Sequence, residues 1–191
     1  MLTRREGAMV QVKIVTLDRW DLAEVERIAR GRNDRKVEAG VRSNKVDAAK
    51  GELGAHLMGV RGEYAVGKLF GLPLDEDCWL HGDNGVDLEV AGYTFSVRTR
   101  GMNGWDYALM GTDTSEFNTD FGVLVWAPDR NPRSVTVAGW TTKGHFMHNR
   151  KPVEYIAGQR RWAMGPEKMF GIEGLYWIVR QFKLREGGGS C

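Results

Sequence analysis

Apolar positions recur with two different periods along this chain, and the changes of period mark its elements. Residues 10–17 alternate briefly, as a half-buried strand does. Leu22, Val25 and Ile28 then fall at helical spacing behind Asp18 or Asp21, either of which can cap a helix, and Gly31 predicts its end. Residues 33–50 are rich in Arg, Lys and Asn and show little periodicity. They read as a basic, partly ordered connection that either faces phosphates or is a solvated surface loop. A second helix is predicted over 53–70 from Leu53, Leu57, Val60, Tyr64 and Leu69, stopped by Gly71 and Pro73.

The period then shortens to two. Residues 86–90 and 95–99 alternate around Ala91 and Gly92, which predicts a β-hairpin. Residues 121–127 and 134–140 predict a second hairpin, joined by a turn holding Pro128, Asp129, Asn131 and Pro132. Between the hairpins, residues 101–118 are polar and Gly-rich, carry Trp105 and Tyr107, and are long for a mere connector. A short helix over 143–149, a strand over 161–164 and a final helix with Ile172, Leu175, Tyr176, Val179 and Phe182 on one face complete the chain. The expected fold class is α/β: one domain over 1–191, with a central mixed β-sheet of two hairpins flanked by helices, and flexible ends at about 1–9 and 186–191.

Register carries the first hairpin further. If Val86, Leu88 and Val90 share a face with Phe95 and Val97, the other face collects Asp87, Glu89, Ser96 and Arg98. Asp87 stands opposite Arg98 if the loop has about four residues and opposite Ser96 if it has about two; one register also places Glu89 beside Ser96.

A helix carrying Glu63, then a hairpin presenting Asp87, then Ser96-Val97-Arg98, resembles the layout of the PD-(D/E)xK, or restriction-endonuclease-like, nucleases. The stretches Gly62-Glu63-Tyr64-Ala65, Gly82-Asp83-Asn84-Gly85-Val86-Asp87-Leu88 and Ser96-Val97-Arg98-Thr99-Arg100 are similar to phage-type members. The resemblance covers residues 51–100. It implies a metal-dependent DNA endonuclease in which Glu63 and Asp87 hold magnesium or manganese, with Glu89 as a further ligand. Ser96 then occupies the place of the second acid and Arg98 that of the lysine. Both depart from the pattern: serine offers a neutral hydroxyl, and arginine stays protonated near pH 7 and cannot serve as a general base. Arg98 can still contact phosphate. The resemblance therefore carries two functions, phosphodiester hydrolysis and a non-catalytic derivative that binds nucleic acid or a host protein, for instance a phage protein opposing host defence. A cross-strand ion pair on a solvated sheet face is the structural alternative.

Composition narrows this little. Apolar residues make up 42% and charged residues 27%, ordinary for a globular protein, and Lys and Arg outnumber Asp and Glu by only 27 to 25. Any basic patch must be local. Cys78 and Cys191 make no disulfide framework, and no apolar run approaches the roughly 20 residues that span a bilayer, so a cytoplasmic protein without membrane contact is expected. Cys78 with His81, and His145 with His148, offer zinc-compatible spacings without a paired Cys-x-x-Cys. Neither a P-loop nor a Gly-x-Ser-x-Gly elbow occurs. Arg98, Arg100, Trp105 and Tyr107 form the expected nucleic-acid surface, DNA rather than RNA, with Arg160 and Arg161 as further phosphate contacts. Trp126 and Trp140, in predicted strands, are expected in the core, and pairing of subunits to a homodimer is expected from the resemblance.

Overall fold

The computed structural model describes residues 2–3, 10–40, 51–74, 85–101, 109–111, 118–156 and 159–187. Near the N-terminus, β1 (Leu2–Thr3) pairs antiparallel with β2 (Val10–Gln11). Then follow β3 (Lys13–Thr16), α1 (Arg19–Glu38) and α2 (Gly51–Phe70). Asp18 caps α1: its side chain accepts from the Trp20 and Asp21 amides, while Asp21 accepts from the Asp18 amide at 2.7 Å, completing a capping box. Both candidate cap residues are thus used, one as cap and one as its reciprocal partner.

The expected end of α1 at Gly31 is wrong. The helix continues to Glu38, and the stop is Gly40, whose φ of 65° suits only the left-handed region that glycine tolerates. A single glycine costs a helix about 1 kcal/mol, too little to end one that has neighbouring pairs such as Arg30 with Glu26. Gly71, with φ 59°, follows α2 as expected.

The main sheet has five strands in the order β3, β8, β7, β5, β4, where β4 is Leu88–Val90, β5 is Tyr93–Arg100, β7 is Phe121–Trp126 and β8 is Ser134–Thr142. The predicted hairpins, β4 with β5 and β7 with β8, are antiparallel, and β5 lies parallel to β7, which makes the sheet mixed. Ala91 and Gly92 both take positive φ, the signature of a tight two-residue turn.

A second, three-stranded sheet runs β6, β10, β9, with β6 at Leu109–Gly111, β9 at Lys151–Ile156 and β10 at Gln159–Met164. Two of its strands were missed. Pro152 argues against a strand, yet β9 is an edge strand, where a missing N–H is tolerated. β6 spans only 3 residues inside the polar, Gly-rich segment 101–118, too short for a period-two pattern to show. Two helices, α3 (Lys143–Asn149) and α4 (Ile172–Gly187), match expectation in place.

Alternation along the strands sends two apolar layers to opposite faces. Leu88, Val90, Phe95, Val97, Val123, Val125 and Val137 pack with Ala65, Val66 and Phe70 of α2 and Leu175, Val179 and Phe182 of α4. On the other face, Leu124, Trp126 and Ala138 meet Phe146 of α3 and Met164 of β10. A bulge in β8, where the register shifts between Leu124 and Val125, turns Trp140 to the α2/α4 face. Trp126 and Trp140 are both buried, as expected, whereas Tyr176 is half exposed and only edges onto Phe70. Helix α1 packs on the outside of α2 through Val25, Ile28, Ala29 and Val60.

Candidate nucleic-acid interface

The hairpin that carries the candidate residues adopts the two-residue-loop register. Leu88 faces Phe95, Glu89 faces Thr94 and Val90 faces Tyr93. Asp87 therefore arrives at the level of Ser96, and Glu89 sits diagonally from Ser96, not opposite it.

Asp87 is buried, and its amide donates to the Phe95 carbonyl at 2.8 Å. The Val97 amide donates to Asp87 Oδ2 at 2.6 Å. The carboxylate thus does the work of a strand carbonyl, adding a rung where β4 has not yet begun. Ser96 is buried on the adjoining position, and its hydroxyl has no hydrogen-bond partner among the described residues. Arg98 is exposed; its guanidinium lies near Gly85, where an added Cβ would come within 3.7 Å of Nη2. Ser96, Arg98 and Arg100 stand beside Gly122, Leu124 and Trp126 of β7, so they share the face turned away from α2 and α4.

Glu63 lies elsewhere. It is on α2, buried, and its Oε2 accepts from Arg32 Nη1 at 2.7 Å, a bridge between α1 and α2. Because α2 covers the opposite face of the sheet from Ser96 and Arg98, the helix carboxylate does not join the hairpin's polar face. Among the described residues, no three His, Cys, Asp or Glu side chains come together at metal-binding range. Glu63, Asp87 and Glu89, all among the described residues, do not form such a group.

Trp105 and Tyr107 lie outside the described residues, as do Cys78 and His81. His145 is committed within the protein: its Nε2 is 2.7 Å from the Lys168 carbonyl oxygen and its ring packs on Phe170. Its neighbour on α3, His148, is exposed. Arg161 is half-buried on β10. Next to that strand, the Arg150 guanidinium lies 4.5 Å over the Trp162 ring, adding a cation on this side of the molecule.

Three polar features escaped sequence reasoning. Arg32 is the partner of Glu63 across 31 positions of sequence, a separation at which no local pattern speaks. Arg61 is buried and donates from Nη2 to the Ala127 carbonyl at 2.7 Å, tying α2 to the end of β7. Burial lowers its pKa and Asp129 opposes this, but a guanidinium remains charged. Lastly, Asp21 accepts from Tyr64 Oη at 3.0 Å and pairs with Lys68. Burial opposes ionisation of Asp21, yet the bonds from Lys68, the Asp18 amide and Tyr64 outweigh it and lower its pKa. Burial and the bond to Asp21 push Tyr64 up to about 12. The spacing of Tyr64 and Lys68 along one helix was the available signal.

Comparison with protein-family models, with curated proteins and with solved structures yields no match. Among the described residues, no helix is long and apolar enough to cross a membrane.

Proposed function

We propose that this chain binds nucleic acid, DNA in preference to RNA, on the sheet face that carries Arg98, using a hairpin that resembles the restriction-endonuclease-like nucleases without their hydrolytic chemistry. The observation that carries this is the pairing of an exposed Arg98 with a neutral, buried Ser96, at the two positions where the resemblance would put a lysine and a carboxylate. An exposed guanidinium suits a phosphate oxygen, and a serine in place of a carboxylate lacks the negative charge a divalent metal needs. Arg100 follows on the same face, and Arg150 adds charge near β10.

The second reading is hydrolysis with magnesium or manganese, and Asp87 favours it: a buried carboxylate just before β4, where the resemblance would put the family's first acid. One experiment separates the two. Fluorescence anisotropy with short duplex DNA in EDTA, across a salt series, is expected to show metal-independent, salt-weakened binding. Arg98→Ala should weaken it about tenfold and lower the salt slope by about one. Cleavage in magnesium or manganese that disappears in Asp87→Asn would establish hydrolysis in its place. Absence of both binding and cleavage, from folded protein, would remove nucleic acid and turn the search to a host protein partner.

A further inference from the structure

The outer face of α4 carries a stripe whose two apolar side chains, Trp177 and Leu184, stand exposed. Ile172, Leu175, Val179 and Phe182 point into the core. At the 100° per residue of an α-helix, Glu173, Trp177, Arg180 and Leu184 fall within an arc of about 60° on the far side. Trp177 is 65% exposed and Leu184 is 62% exposed. Tryptophan is among the more buried residue types on average, so one standing in water in the middle of a well-formed helix calls for a cover. Single exposed apolar residues are ordinary; here a tryptophan and a leucine lie two turns apart on one line, with opposite charges among them.

The order of residues along that line is what selects the occupant. Let a second copy of α4 cross antiparallel, with Trp177 at the twofold axis. Glu173 then lies about 6 Å along the helix from the axis, and Arg180 of the second copy lies about 4.5 Å along it on the same side. The offset is about one residue's rise, well within the reach of both side chains. Symmetry repeats the pair, so two Glu–Arg bridges flank two tryptophans that meet at the centre, and Leu184 extends the apolar line at each end. A parallel arrangement would set like charges together. The carboxylate is also held in place, because with the Gln11 amide nitrogen turned toward it, Gln11 donates to Glu173 Oε2 at 2.9 Å.

We propose that this stripe of α4 is a twofold homodimer interface, whose occupant is a second copy of this chain. An isologous contact requires a self-complementary patch, and acid, aromatic and base in that order provide one. The central indole supplies the buried anchor and the flanking charges set direction and register. The claim is independent of any ligand and stands or falls apart from the nucleic-acid reading.

Sedimentation velocity and mass photometry over a concentration series, without nucleic acid, test it on the whole chain. The expected result is a reversible dimer whose dissociation constant rises about tenfold or more in Trp177→Ala. Glu173→Arg or Arg180→Glu alone should weaken it similarly by facing like charges, and the double reversal Glu173→Arg/Arg180→Glu should restore it to within about threefold of the parent. Circular dichroism checks that each variant is folded; if Trp177→Ala is not, Leu184→Glu replaces it. A chain that stays monomeric, a dimer indifferent to all these substitutions, or a double reversal no better than the singles would overturn the proposal.

Discussion

At the scale of single residues, what matters most is how each polar side chain is engaged. Asp87 and Glu63 are both buried carboxylates, yet one serves a backbone amide of β5 and the other a guanidinium of α1. Among the described residues, the buried hydroxyls of Ser96 and Thr99, on opposite faces of β5, have no hydrogen-bond partner, which costs each the solvation it would have in water. The closest packing in this region is between Gly62 and Thr99, on the face opposite Ser96. A Cβ on Gly62 would stand 1.9 Å from Thr99 Oγ1 and 3.0 Å from its Cβ. Threonine is β-branched and stiff, so α2 would have to back away from the sheet. Gly62→Ala is therefore expected to cost about 1–3 kcal/mol, read as a lowered urea midpoint. Adding Thr99→Ala should recover part of the loss, since both changes act on one contact. An unchanged midpoint for the single variant would show that α2 is free to shift.

Between elements, the strongest polar tie described is that of α1 to α2, where Asp21 receives Tyr64 and Lys68 beside its own capping box. This links sequence to pH. Asp21 has a lowered pKa in the fold, so its contribution is present above the unfolded value of 3.8 and is lost as pH falls through the lower, folded value. Tyr64 is raised from 10.0 to about 12, so its contribution is whole below pH 10 and fades as pH rises toward about 12. Urea midpoints measured from acid to strongly alkaline pH should show both limbs. Asp21→Asn should flatten the acid limb, and Tyr64→Phe should flatten the alkaline one; parallel curves for variants and parent would refute the linkage. At this scale the sequence was informative about where helices begin and less so about where they end. Asp18 and Asp21 announced the start of α1 because capping is a local event, whereas Gly31 was over-read as a stop because packing on α2 and side-chain pairs outweigh one glycine.

For the molecule as a whole, the two sheets differ in how deeply they are covered. All six residues of β7 are buried, between helices on one face and α3 and β10 on the other, while Lys151, Pro152 and Glu154 of β9 are exposed at the edge of its sheet. Hydrogen exchange should follow this difference. The amides of Val123, Val125 and Val137 should exchange only with global unfolding, and those of β9 and β10 by local opening at lower free energy. Equal protection in the two sheets, seen by mass spectrometry or NMR, would contradict that ordering.

The sequence by itself determined where the helices lie, the two hairpins and the polar face that carries Ser96 and Arg98, because periodicity, caps and turn residues act over a few positions. It also narrowed the hairpin register to a short set of choices, of which the positive φ angles at Ala91 and Gly92 realise one. Only the tertiary structure decided that β5 and β7 run parallel and which helices cover which face. That decision separates Glu63 from Ser96 and Arg98 and gives it to Arg32. Alternation tells which side of a strand is apolar, but not which distant element will come to cover it. That choice is settled by packing between segments tens of residues apart, where local pattern has no voice.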